Sequence, residues 1–211
     1  MAKLKIFTFP DLVLTKKANP IARVEKSFFK TADDMLETMY HAPGVGLAAN
    51  QVGLLQRIIV IDTDYEMVDL DELKEDSEGQ AEPLPKIEDG AEVVGSRILH
   101  KKKPRILINP EIIHREGKIL FSEGCLSVPE YNAEVQRSEK VKVQYQDLDG
   151  LTRTLSAEGL LAIAIQHEID HLEGKLFIDR LSPLKKEMAK KKLKKERAER
   201  DSGNNEGPED L

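Results

Sequence analysis

The spacing of apolar residues changes several times along the chain, and each change marks an element. From Val24 to His41, Phe28, Met35, Leu36, Met39 and Tyr40 recur at three- and four-residue steps, which predicts an amphipathic helix stopped by Pro43-Gly44. The opening MAKLKIFTFP alternates like a short strand ending at Pro10, and the β-branched run RIIVID from Arg57 to Asp62 reads as a buried strand. Further strands are expected at Arg105–Asn109, Ile112–Phe121, Ala133–Arg137, Val141–Asp147 and Thr152–Ser156, with Asp149-Gly150 turning between the last two. From Ala157 to Leu172 the period becomes helical. Leu160, Ile163, Ala164, His167 and His171 then share one face. Pro183 suits a first helical turn, and Leu184–Arg200 reads as a second C-terminal element of helix.

Composition divides this plan into parts. The chain has 211 residues, 40% hydrophobic and 33% charged, which favours one ordinary domain with a real core. That domain is placed at residues 1–183. Between Asp64 and Ser96 there are 12 acidic and 2 basic residues with interspersed Pro and Gly, so residues 64–103 are expected to form a loosely ordered insertion. Residues 184–200 carry 9 basic and 3 acidic residues, a locally cationic helix, whereas residues 201–211 are polar and expected to be disordered. The formal charge of −6 argues against nucleic-acid binding by the domain as a whole. One cysteine cannot form an internal disulfide, and no stretch approaches the length of a membrane span. A cytoplasmic protein is the expectation.

The densest chemistry is Gln166-His167-Glu168-Ile169-Asp170-His171. Residues four apart on a helix stand one above the other, so both imidazoles can reach one metal ion. Glu168 projects beside them as a general base that is not itself a ligand, the logic of the HExxH pattern. A helix that matches by chance is the plain alternative, but the apolar run Leu160–Ile165 makes unpaired histidines unwelcome there. A catalytic site needs a third ligand and one open position. Neither Glu173 nor Asp179 has suitable spacing, and the best candidate is Cys125 in Glu123-Gly124-Cys125-Leu126-Ser127-Val128-Pro129. A solitary cysteine is usually a small buried hydrophobe, yet with HExxH it completes a Cys-His-His set. Gly44-Val45-Gly46-Leu47-Ala48-Ala49-Asn50-Gln51 superficially resembles a dinucleotide fingerprint, but here a helix precedes it and a strand follows, the wrong context. Its glycines instead suit close backbone approach to a ligand, and Gln51 reads equally well as a loop residue or as an amide donor.

Together GVGLAANQ, EGCLSVP and QHEIDHLEG resemble, in order, spelling and separation, the three motifs of peptide deformylases. RIIVID, LINPEI, EGLLAIAIQ and LFIDRLSPLK are similar too, so the resemblance covers most of the chain outside the acidic insertion and the tail. It implies an α+β fold with antiparallel β-sheets packed around a central helix carrying HExxH, and with a C-terminal helix. It implies metal-dependent hydrolysis of the N-formyl group from N-terminal formyl-methionine, releasing formate. The implied metal ligands are Cys125, His167 and His171, with Fe(II) characteristic and Zn(II), Ni(II) or Co(II) able to substitute; a thiolate with two imidazoles suits iron and zinc alike. Glu168 is the implied proton acceptor, and the Gln51 amide and Leu126 N–H the implied oxyanion donors.

For the methionine pocket, Leu160, Ile163 and Ala164 are candidate walls by helical position; ordinary core is the alternative for these and for the two walls that follow, and for Leu160 it is at least as strong. Val45 and Phe121 are added by the resemblance. The Gly44–Gly46 and Gly124–Leu126 backbones could pair with an extended formyl-methionyl peptide or nascent chain. The resemblance also implies that Asp170 pairs with Arg137 and braces the ligand helix, the alternative being a surface salt bridge of little energetic worth. Glu130-Tyr131-Asn132 departs from relatives that have glycine or a peptide-binding arginine there. The basic C-terminal helix is a candidate ribosome contact; no membrane or DNA partner is expected. The rival function is another HExxH peptidase that cleaves internal peptide bonds.

Overall fold

The computed structural model describes residues 2–69 and 91–203. In chain order its strands are β1 (Gly46–Ala48), β2 (Ile58–Ile61), β3 (Glu66–Asp69), β4 (Glu92–Val94), β5 (Arg97–His100), β6 (Arg105–Glu116), β7 (Ile119–Cys125), β8 (Val128–Arg137), β9 (Lys140–Gln146) and β10 (Thr152–Glu158). Its helices are α1 (Ser27–His41), α2 (Gly159–Leu172) and α3 (Pro183–Gly203). All the ladders are antiparallel, in sheets ordered β1-β2-β6-β9-β10, β3-β5-β4 and β7-β8.

Every residue of β2 is buried, so both faces of the large sheet must be covered there. Alternation along β2 assigns the covers. Ile58 and Val60 join Met35, Met39 and Tyr40 of α1, while Ile59 and Ile61 join Ala162 and Ile165 of α2. Helix α2 is apolar nearly all round and correspondingly buried from Ala162 to Glu168. It ends where Gly174 adopts φ +69, and a side chain there would run into the carbonyl of Thr15. A third apolar cluster joins Val128 and Val135 of β8 to Leu176, Phe177 and Ile178 and to one stripe of α3, Ala189 and Leu193.

The observed fold corrects several expectations. The segment Ala2–Pro10 is no strand. It is an extended strap tied by separate bonds, among them Leu4 N–H to Thr38 Oγ1 and Phe7 N–H to the Gln51 carbonyl. The expected strand Ile112–Phe121 is two strands, because Gly117 at φ +67 turns the chain between β6 and β7. Residues 157 and 158 belong to β10, so α2 starts later than the period suggested. The insertion is ordered at both ends: β3, β4 and β5 make a small sheet whose Leu99 is buried against α1. Acidic composition missed this, since Lys101 and Lys102 neutralise Glu66 and Glu92 across that sheet. The remainder of the insertion, 70–90, lies outside the described residues. Residues 201–203, expected in a disordered tail, continue α3, and 204–211 lie outside the described residues.

Candidate active site

Three elements converge on the face of α2 that carries the histidines. Cys125 stands at the end of β7, where the hairpin turns toward Val128, and the edge strand β1 runs alongside with Gln51 in the turn that follows it. Cys125 Sγ is 3.2 Å from His171 Nε2, and His171 Nε2 is 3.2 Å from His167 Nε2. The ligand atoms of Cys125, His167 and His171 all lie within 4.8 Å of one another.

Their protonation pulls in opposite directions. Burial works against charge on His167, but Cys125 and Glu123 beside it hold its pKa well above the ordinary value. Burial, together with charge on His167 and Arg137, pushes His171 well below. The two Nε2 atoms face each other at 3.2 Å, so both cannot carry a proton at once. Soft thiolate plus two imidazoles is a donor set that fits a divalent transition metal. Glu168 is 4% exposed, and its Oε2 has no hydrogen-bond partner among the described residues. Burial pushes its carboxyl up to about 7, against the pull of charge on His167. Gly46 allows this carboxyl in: a β-carbon there would sit 2.5 Å from Glu168 Oε1.

Behind α2 lies a buried ionic chain. His167 Nδ1 meets Glu123 Oε2 at 2.8 Å. Arg137 donates to both oxygens of Glu123, at 2.5 and 2.8 Å, and to Asp170 Oδ2 at 2.5 Å. Arg180 grips Asp170 from the other side, with Nη2 to Oδ1 at 2.5 Å. Arg137 and Glu123 are 2% and 3% exposed, so each needs the other: an unpaired charge at that depth is costly. Gln166 fixes the helix further through both backbone groups of Ser138, and Asn50 donates to the His171 carbonyl. Phe177 stacks on the His167 ring with centroids 6.0 Å apart.

The cleft in front of the cluster has a volume of about 370 Å3 and is lined by Gly44, Val45, Gly46, Gln51, Phe121, Gly124, Cys125, Leu126, Leu160, Ile163, Ala164, His167 and Glu168, among others. Every residue singled out from the sequence therefore reaches the cleft, except His171, beneath it, and Asp170 and Arg137, behind α2. Leu160 is 41% exposed and so is not core, whereas Ile163 and Ala164 are buried; all three line the cleft. Glu123, Ser127, Asn50, Arg180 and Phe177 were missed. Glu123 and Ser127 had a signal, since each lies two residues from Cys125. Asn50, Arg180 and Phe177 are brought in by folding alone.

A helix bearing HExxH between antiparallel sheets, with a buried carboxyl beside three convergent donors, defines a metal-dependent hydrolase of the α+β class. Residues 3–187 match the family described as polypeptide deformylase, and the chain belongs to that family. It is 44% identical over 200 residues to "Peptide deformylase 2" of Xanthomonas axonopodis pv. citri, covering 93% of this chain and 98% of the relative. To the peptide deformylase of Nitrosococcus oceani it is 45% identical over 195 residues, covering 92% and 96%. The crystal structure of a peptide deformylase from Legionella pneumophila superposes with a TM-score of 0.72 at 38% identity, covering 98% of this chain and 100% of that one. One from Ehrlichia chaffeensis in complex with actinonin gives 0.71 at 36%, covering 93% and 98%. The activity is that of the family: hydrolysis of the N-formyl group from N-terminal formyl-methionine. Cleavage of internal peptide bonds is not favoured. No helix among the described residues is long and apolar enough to cross a membrane.

Proposed function

We propose that Cys125, His167 and His171 hold one divalent metal, Fe(II) in the cell, and that Glu168, Gln51 and Leu126 carry the deformylation chemistry around it. The observation that carries this is the convergence of the three donor atoms within 4.8 Å, beside a buried carboxylate oxygen without a partner. When bound, such a metal supplies Lewis acidity that lowers the pKa of a water toward neutrality. Glu168 Oε2, buried and without a partner among the described residues, accepts the proton of the attacking water and passes it to the departing amine. Gln51 Nε2 and the Leu126 N–H donate to the oxygen of the tetrahedral intermediate, and one such donor is worth about 3 kcal/mol of barrier.

The methionine side chain enters the cleft between Val45, Phe121, Leu160, Ile163 and Ala164. β1 is an edge strand and β7 pairs only with β8 among the described residues, so each has an outer edge, beside Gly46 and Gly124, along which an extended peptide can lie, whereas Gly44 is already bonded through its N–H to Met39 and its carbonyl to Tyr65. Backbone pairing tolerates many sequences after the methionine. Such substrates are made by translation, which places the work in the cytoplasm. The exposed lysines of α3, Lys191, Lys194 and Lys195, suit a ribosomal RNA surface.

The decisive test is anaerobic loading with ferrous iron followed by formate release from a formyl-methionyl peptide. No formate from fully metallated protein would refute the proposal. Cys125→Ser should bind metal more weakly, and full metal content and activity in that variant would overturn the ligand assignment. For the ribosome, replacing Lys191, Lys194 and Lys195 by Glu is cleaner than truncation, because Ala189 and Leu193 belong to the core. Unchanged salt-sensitive association in that variant would remove α3 as the anchor.

A further inference from the structure

Gln51 and Ser127 come from turns that adjoin different sheets, 76 residues apart in sequence, and meet with both side chains fully enclosed: they are 1% and 0% exposed. The Gln51 carboxamide has three directions in its plane, one oxygen and two N–H bonds. The oxygen is taken, since Oε1 accepts the Ala48 N–H at 2.7 Å. Nε2 donates to Ser127 Oγ at 3.1 Å and lies 3.6 Å from Cys125 Sγ. With Oε1 and one N–H engaged, planarity points the second N–H toward Cys125 and the cleft. The last torsion of a glutamine is soft and broad, so the direction of the amide depends on how closely its partners hold it.

We propose that Ser127 is a positioning residue for deformylation: its hydroxyl locks the Gln51 carboxamide so that one N–H stays aimed at the reacting oxygen. This rests on the reading of Gln51 as an oxyanion donor. The lock is itself held. The Ser127 N–H donates to Cys125 Sγ at 3.4 Å, and its carbonyl accepts the Phe9 N–H at 2.8 Å. Two residues earlier the Phe7 N–H donates to the Gln51 carbonyl at 2.7 Å. The N-terminal strap therefore staples the two turns together, and Ser127 sets the side chain between them. Deletion of that oxygen leaves the amide held by the Ala48 N–H and by the long contact to Cys125 Sγ, a looser hold on its direction. Donors aligned in advance are what stabilise an oxyanion, and a swinging amide forfeits that.

The test is steady-state kinetics of metal-loaded Ser127→Ala, Gln51→Ala and the double variant, with 15N–1H spectra of the side-chain amides. Ser127→Ala should lose roughly 10- to 100-fold in kcat, the range seen for partners that orient active-site groups, with little change in KM. Ser127→Thr, which keeps the hydroxyl, should restore most of it. The Gln51 amide signals should move toward those of a free side chain in Ser127→Ala, and no further kcat loss should appear on top of Gln51→Ala. If Ser127→Ala fails to fold, Ser127→Gly carries the same expectation. Wild-type kcat in Ser127→Ala, or an undiminished second loss in the Gln51→Ala background, overturns the proposal. Wild-type kcat in Gln51→Ala instead overturns the donor reading beneath it, and the two failures are told apart by that variant.

Discussion

Arg137→Met removes the hub of the ionic chain behind α2. In the native protein burial alone would raise the Glu123 carboxyl, but Arg137 and His167 outweigh it and hold it down at about 2 from an ordinary 4.5. A depression of that size corresponds to about 3 kcal/mol of stability. The cost of leaving a buried charge without its partner, about 3–5 kcal/mol, agrees. Asp170 loses less, because Arg180 still grips it. The sign follows from a depressed carboxylate. The stabilisation is complete above the unfolded value near 4.5 and is lost as pH falls toward 2. Urea unfolding of chelated protein, so that metal binding does not enter, should show Arg137→Met about 3 kcal/mol less stable at about pH 7. The gap should narrow by about pH 4, where Glu123 of the variant takes up a proton on its own. A loss under about 1 kcal/mol at neutral pH, or a gap that does not shrink on acidification, would refute the reasoning.

Glu168→Gln should keep its metal, measured by elemental analysis, and lose most turnover, because the amide cannot accept the proton of water; retained turnover would contradict the base assignment. Gly46→Ala places a methyl against the Glu168 carboxyl and should lower kcat by roughly 100-fold with metal content unchanged, in line with an ångström-scale displacement at an active site. Asp179 receives Lys186 and Lys190 of α3 at 2.9 and 3.0 Å and the Leu176 N–H at 3.0 Å. Burial raises its carboxyl, but these bonds outweigh it and leave the pKa lowered, so the anchoring of α3 is complete above the unfolded value near 4 and fades as pH falls through the folded one. Asp179→Asn should speed proteolysis of α3 at neutral pH, by an amount worth about 1 kcal/mol for a partly exposed network, and should do so less in acid.

What could be read in advance was what short-range periodicity encodes. The α1 stripe, the buried β2 run and the Asp149-Gly150 turn each lie within a few residues, and each formed as spaced. The HExxH segment offered candidate metal ligands in the same local way, whereas the roles expected of Gln51 and Leu126 came only with the resemblance of GVGLAANQ and EGCLSVP to family motifs. The expected strand at Ala2–Pro10 failed because alternation says which residues are half-buried and not whether a neighbouring strand is there to pair. The acidic count over 64–96 left out Lys101 and Lys102, which follow β5 directly and pair with Glu66 and Glu92, so composition alone did not reveal the small sheet at the ends of the insertion.

The sequence by itself determined the donor types, the helical spacing that stacks His167 over His171, and the apolar faces that bury α2. Tertiary structure alone decided that Cys125 lies 3.2 Å from His171, that Arg137 also takes both oxygens of Glu123, and that Ser127 reaches Gln51 across 76 residues. The reason is one of range. Backbone periodicity fixes neighbours three or four residues apart, but an ion pair or an amide lock between sheets depends on how those sheets pack.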